Sequence, residues 1–342
     1  MRYVLLLACT LAILILLTGC GRARERHENR EAARTQEAAS APAPTADAAD
    51  VPTQGPSPAA SGSAGCGTEA PSGSSVASIE SDGVERSYRL YVPTAYDTRR
   101  PTPLVLNFHG LGATALEQER YSGFIEVAEE NGFVLVSPQA TGTPSEWYLY
   151  GPLERGYVDD FAFVGRLIDE LSARLCVDSR RVYATGISNG GGMTSLLGCE
   201  LSDRIAAIAP VAGSPYVERR CDGARPMPVI AFHGTDDPLV PFEAGPDFGD
   251  LDIFRFGARN NMRDWAQHNG CDLTLHSERI ASDVVLESYG GCSNGADVQL
   301  YVIEGGGHTW PGAGVEVNAL GKTTHSIDAS ELIWSFFATH PR

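Results

Sequence analysis

Positive charge is scarce in this sequence: 26 lysines and arginines stand against 43 aspartates and glutamates, a formal net charge of -17 over 342 residues. A nucleic-acid binder needs a basic footprint to displace counterions from phosphates, so the composition argues against that class. A neutral or cationic substrate suits it better, and the acidity reads as a solvated surface that serves solubility. The eight cysteines include no C-x-x-C pair, and no H-E-x-x-H segment occurs. Neither a thiolate zinc site nor a zinc-peptidase helix is therefore supported, and no metal is expected. A metal-dependent hydrolase on His233, Asp236 and His308 would lack any recognised ligand spacing. Internal repeats are also absent.

What is present is 43% apolar residues, enough for a large core. One catalytic domain is the simplest reading of the length, because α/β enzymes often exceed about 200 residues as a single unit. The chain opens with Arg2, an almost wholly apolar run at 4–17 and then small residues, which reads as an export signal over 1–19. Its end, Leu17-Thr18-Gly19-Cys20, resembles the lipobox of bacterial lipoproteins, which implies cleavage before Cys20 and lipidation there. The alternative is an uncleaved anchor, since 3–19 is near the lower limit for spanning a bilayer. Either way the rest is expected outside the cytoplasm, lipid-anchored to the cell envelope or secreted. Residues 20–65 are rich in Ala, Pro, Ser, Thr and Gly with hardly a large apolar side chain, and read as a disordered tether. The remaining Cys66, Cys176, Cys199, Cys221, Cys271 and Cys292 form an even set in an exported chain, which points to disulfides but leaves fifteen pairings open.

From Cys66 to Arg342, short β-rich runs alternate with amphipathic stretches. Strands are expected at 86–92, 104–108, 133–137, 181–187, 228–232 and 298–303, and helices at 115–130, 158–175 and 330–338. In the second helix Phe161, Val164, Ile168, Leu171 and Leu175 recur at three- and four-residue spacing, one buried stripe. Such alternation implies an α/β fold with a mostly parallel sheet covered on both faces, its functional groups at the carboxyl ends of the strands.

G-x-S-x-G occurs twice, around Ser188 and around Ser293, so pattern alone decides nothing. A nucleophile elbow needs a strand, a sharp turn and a helix. Ser188 has that context; Ser293 lies among glycines ahead of a strand and reads as a turn residue. A serine needs a neutral imidazole to take its proton, and a carboxylate to fix that imidazole. Strand 298–303 leads into Glu304-Gly-Gly-Gly-His308, and strand 228–232 leads into His233-Gly-Thr-Asp236-Asp237. His308 is the candidate base, and Asp236 or Asp237 the acid. Two amides must meet the oxyanion: that of Asn189, after the serine, and that of Leu111, in the loop after strand 104–108. Trp310, Trp147, Tyr148, Tyr150 and His109 are candidate substrate contacts, the aromatics by stacking on a sugar or phenolic ring.

The segments His109-Gly-Leu-Gly112, Arg181-Val-Tyr-Ala-Thr-Gly-Ile-Ser-Asn-Gly190, His233-Gly-Thr-Asp-Asp-Pro-Leu-Val-Pro241 and Gly305-Gly-Gly-His-Thr-Trp-Pro-Gly312 together resemble carbohydrate esterase family one, the exported feruloyl esterases and polyhydroxybutyrate depolymerase-like proteins. The resemblance spans most of 66–342 and implies a disulfide-stapled α/β-hydrolase that cleaves carboxylic esters without a cofactor. It implies Asp237 as the acid and pairs Cys199 with Cys221 and Cys271 with Cys292, leaving Cys66 for Cys176. One departure stands out: Gly192 adds a third glycine after the elbow and is expected to loosen the first helical turn. The leading expectation is a Ser188–His308–Asp237 esterase acting on feruloylated or acetylated plant polysaccharide. The alternatives are a polyhydroxybutyrate depolymerase-like polyester hydrolase and, from another class, a surface binding protein that has lost catalysis.

Overall fold

The computed structural model describes residues 62–149, 158–213, 221–244 and 256–342. The expected signal, the expected lipidation site Cys20 and nearly all of the expected tether lie outside those residues, as does Tyr150. Residues 62–65, expected in the tether, are already bound: the Ser63 amide donates to the Val177 carbonyl at 3.2 Å and its hydroxyl to the Leu175 carbonyl at 2.6 Å.

The strands in chain order are β1 (Gly73–Ser81), β2 (Val84–Val92), β3 (Thr102–Phe108), β4 (Val134–Pro138), the short pair β5 (Thr141–Gly142) and β6 (Ser145–Glu146), β7 (Val177–Ile187), β8 (Ala207–Val211), β9 (Val229–Gly234), β10 (His276–Ala281), β11 (Val284–Tyr289) and β12 (Val298–Ile303). The helices are α1 (Ala115–Ser122), α2 (Phe124–Asn131), α3 (Asp160–Arg174), α4 (Asn189–Glu200), α5 (Gly257–His268) and α6 (Ala329–Thr339). Among the described residues, ten strands form one sheet in the order β1-β2-β4-β3-β7-β8-β9-β12-β11-β10. The six from β4 to β12 pair in parallel, and antiparallel strands extend both sides.

Every residue of β3, β4, β8 and β9 is buried, as parallel strands covered on both faces must be. Side chains divide between two cores by the two-residue period of a strand. On β3, Leu104, Leu106 and Phe108 pack with α3, α4 and α5, whereas Val105 faces the core shared with α2 and α6. Helix α3 buries Phe163, Val164, Leu167, Ile168 and Leu171, so its stripe includes two positions beyond the expected spacing and leaves Phe161 only partly covered.

The single helix expected at 115–130 is two. Thr114 and Glu117 form a capping box that starts α1, and Gly123, at φ 66°, ends it and starts α2. A left-handed residue interrupts the helical ladder, and glycine adopts that conformation without a β-carbon penalty.

The three bridges implied by the resemblance are formed: Cys66–Cys176, Cys199–Cys221 and Cys271–Cys292. Cys66–Cys176 closes the longest loop, 110 residues. In the double variant Cys66→Ser/Cys176→Ser, urea denaturation should show the unfolding free energy lowered by about 2–5 kcal/mol, through the freedom restored to the unfolded chain; an unchanged midpoint would contradict that account.

Candidate active site

Strand β7 delivers Ser188 to the carboxyl edge, and α4 begins at the next residue. Ser188 has φ 59° and ψ -124°, a left-handed conformation that costs a non-glycine residue roughly 1–3 kcal/mol. The surroundings hold it there: its amide donates to the Val211 carbonyl at 2.9 Å, and its carbonyl accepts from Gly192 at 2.9 Å. Gly190 lies so close to β3 that a β-carbon would stand 2.3 Å from the Phe108 oxygen and 2.5 Å from that of His109. Despite Gly192, the first turn of α4 is intact. Gly190 to Gly192 are buried and Thr194 donates to the Gly190 carbonyl at 2.8 Å, so packing overrides the weak intrinsic propensity.

Strands β9 and β12 are parallel neighbours two and three places across the sheet from β7, and their carboxyl ends carry the other two groups. The His308 Nδ1–H donates to Asp237 Oδ2 at 2.8 Å. Asp237, not Asp236, faces the imidazole; the Asp236 carboxylate accepts from the Thr235 hydroxyl at 3.1 Å. The other Asp237 oxygen, Oδ1, accepts the amides of Leu239 and Val240, each at 2.8 Å. Burial pushes the Asp237 carboxyl up, but the adjacent His308, together with His233 and the Val240 amide, outweighs it and holds the group below its ordinary value. The bond leaves the opposite nitrogen of His308, Nε2, as the one able to accept a proton.

The sequence reading weighed His233 only as a metal ligand and missed its place behind Asp237. Its Nε2–H donates to the Val240 carbonyl at 2.9 Å and stands 3.4 Å from Asp237 Oδ2. Burial pushes this imidazole down and keeps it neutral. The available signal was the four-residue spacing from His233 to Asp237 in the His-Gly-Thr-Asp-Asp segment.

The loop after β3 is braced against the elbow. Trp147, carried by the β5–β6 hairpin, exchanges backbone bonds with the Asn189 side chain at 2.8 and 3.0 Å, and its indole N–H donates to the His109 carbonyl at 2.9 Å. The Gly112 amide, just past Leu111, donates to the Ser145 carbonyl at 2.8 Å. Asn189 is the first residue of α4, where backbone N–H groups have no intrahelical acceptor.

Three expected substrate contacts are corrected. Trp147, Trp310 and His109 are each 0% exposed. Trp147 stands edge-on to Phe108, and Trp310 packs edge-on to Phe124 with its N–H on the Ser330 hydroxyl at 3.0 Å. His109 donates from Nδ1 to the Gly110 carbonyl at 2.8 Å and accepts the Ala140 amide on Nε2 at 3.0 Å. All three support the loops and cannot stack on a ligand; Tyr148 is buried as well. Ser293 sits in the exposed turn expected of it, a short 3-10 segment at Ser293–Gly295.

No family model matches the chain. It is 34% identical over 223 residues to feruloyl esterase B of Piromyces equi, covering 63% of this chain but 41% of that protein, so it spans less than half of that relative's length. It is 32% identical over 253 residues to "Putative esterase NocK" of Nocardia uniformis subsp. tsuyamanensis, covering 67% of this chain and 72% of that one. Among solved structures, an acetyl xylan esterase from Aspergillus awamori shares the fold with a TM-score of 0.55 at 14% identity, covering 77% of this chain and 99% of that one.

Burial holds the His109 imidazole at about 4, below its ordinary 6.5 and against the opposing pull of the Gly110 carbonyl. Above 6.5 both folded and unfolded chains carry it neutral. As pH falls from 6.5 to about 4, only the unfolded chain takes up the proton, so stability is lost across that window. The loss attributable to this group is on the order of 3 kcal/mol. Denaturation midpoints measured across the window should fall less steeply in His109→Gln than in the parent chain; parallel slopes would refute the assignment.

Proposed function

This chain belongs to the α/β-hydrolase esterases, and from that premise we propose that it hydrolyses carboxylic esters through an acyl-enzyme on Ser188. His308 Nε2 takes the serine proton as the hydroxyl attacks the ester carbonyl, returns it to the departing alcohol, and then activates the water that releases the acid. Asp237 fixes the tautomer of His308 and stabilises the imidazolium that forms at each step. The amides of Leu111 and Asn189 receive the oxyanion of the two tetrahedral intermediates.

The observation that carries this reading is the 2.8 Å bond from His308 to a buried Asp237 at the same sheet edge as a serine held in left-handed geometry. The backbone geometry at Ser188 is the arrangement that lifts a nucleophile above a sheet. The substrate we assign is a feruloyl or acetyl ester of plant polysaccharide. The naming of two similar proteins as feruloyl esterase and acetyl xylan esterase supports that class. The disulfides agree with export to the compartment where such polymers occur, anchored there through lipidated Cys20.

Ser188→Ala is expected to lower kcat/KM on a short aryl ester by at least about 10³-fold without unfolding the protein. A fluorophosphonate should label the parent chain and not the variant. Turnover retained at the parent rate would remove Ser188 from the reaction.

A further inference from the structure

Beside the acid and base loops the surface opens into a cleft of about 430 Å³. Thr235 and Glu304 form its rim at the carboxyl ends of β9 and β12, two residues before Asp237 and four before His308. These rim segments are stapled together, with Gly305 donating its amide to the Thr235 hydroxyl at 2.8 Å and Asp236 donating to the Gly306 carbonyl at 2.9 Å. From the rim the cleft runs between α5 and the strands β12, β11 and β10. Val302 and Val285, cross-strand partners, contribute an apolar floor.

The walls carry two guanidinium–carboxylate pairs. On one side Arg259 lies over the Phe242 ring, 4.9 Å from its centroid, and donates to Glu287 through Nη2 at 2.8 Å and to Glu243 through Nη1 at 3.1 Å. On the other side Arg279 grips both oxygens of Glu304, each at 2.8 Å. Ser277 adds a hydroxyl between them. Each planar pair fixes donors and acceptors side by side, the pattern that adjacent hydroxyls of a pyranose complement. The valines below offer a surface to the C–H face of such a ring. Three carboxylates against two guanidiniums, in a chain of net charge -17, disfavour an anionic ligand. The volume falls within the usual range of small-molecule sites, roughly 300–1,000 Å³.

We propose that this cleft is an accessory subsite for an uncharged saccharide chain, the unreacting part of a polymeric ester whose acyl group is presented to Ser188. The proposal rests on the esterase reading above and deepens it by assigning the backbone of the substrate a binding place of its own. Holding the chain outside the reacting centre supplies binding energy that a small ester cannot recruit.

The test uses the full chain and two cleft variants, Arg279→Ala and the space-filling Ser277→Trp. Calorimetric titration with an unesterified xylo-oligosaccharide should give saturable binding in the parent, weakened about tenfold in Arg279→Ala and lost in Ser277→Trp. KM for a feruloylated oligosaccharide should rise in step, while kcat/KM on a short aryl ester stays at the parent value and reports an intact fold. Equal binding by all three chains, or no binding by a parent that hydrolyses the aryl ester, overturns the cleft assignment and leaves the esterase reading standing. A parent that hydrolyses no ester fails the function proposed for Ser188, and the titration alone then decides the cleft.

Discussion

Two backbones meet where α4 begins under the end of β3, and the carboxyl edge of the sheet is organised around that meeting. No side chain fits between Gly190 and the Phe108 and His109 carbonyls. The approach is therefore set by covalent bulk rather than by adjustable contacts. It fixes the start of α4, and with it the Asn189 amide, against the loop that carries Leu111. Trp147 locks the arrangement by bonding to Asn189 on one side and to the His109 carbonyl on the other. The indoles that sequence reasoning aimed at substrate thus act one layer further back, as braces. The pair of oxyanion donors proposed at Leu111 and Asn189 would need such rigidity, because hydrogen bonds that must reorient during a reaction return little stabilisation.

Two buried carboxylates near the site, Asp237 and Asp160, are each held by several partners. The Asp237 carboxylate accepts three bonds within 2.8 Å, from two backbone amides and His308, with His233 close by. Farther along, Arg86 on β2 meets Asp160 at the start of α3 at 2.6 Å, both side chains 1% exposed. Burial pushes the Asp160 carboxyl up even though Arg86 opposes it, so the desolvation of this pair is not fully offset. What the pair secures is position. Asp160 also accepts the Tyr148 amide at 2.8 Å, and Arg86 stacks 4.0 Å over Phe163, so the segment behind Trp147 is tied to both a strand and a helix.

Five of the six parallel strands were legible as apolar runs, and β12 has the bounds expected of it, but β8, the short Ala-Ile-Ala-Pro-Val segment at Ala207–Val211, was not expected. The elbow was legible because strand, serine and helix succeed one another locally. Less could be read where the deciding partner is remote in sequence. Strand β10 is exposed along nearly its whole length and offers no alternation, so only pairing with β11 reveals it. The division of 115–130 turns on a single glycine that the helical period of its neighbours masks. Burial of Trp310 depends on Phe124 and Ser330, and its amide donates to the hydroxyl of Tyr121, 189 residues earlier. Beside His308 in the chain, its side chain is committed to the hydrophobic core. The choice between Asp236 and Asp237 had the same character, since adjacent residues of a turn face opposite ways.

The attachment of residues 62–66 to the start of β7 has a mechanical side. The Gly62 bridge to Asp178, the Ser63 bonds to Leu175 and Val177, and the Cys66–Cys176 bridge all act at the amino end of that strand. Ser188 follows its other end, eleven residues away, or about 36 Å at the usual rise of a strand. Tension drawn through the chain ahead of Gly62 therefore enters the domain at its base and is borne by a covalent cross-link. The edge that carries the serine, the imidazole and the carboxylate stays outside the load path.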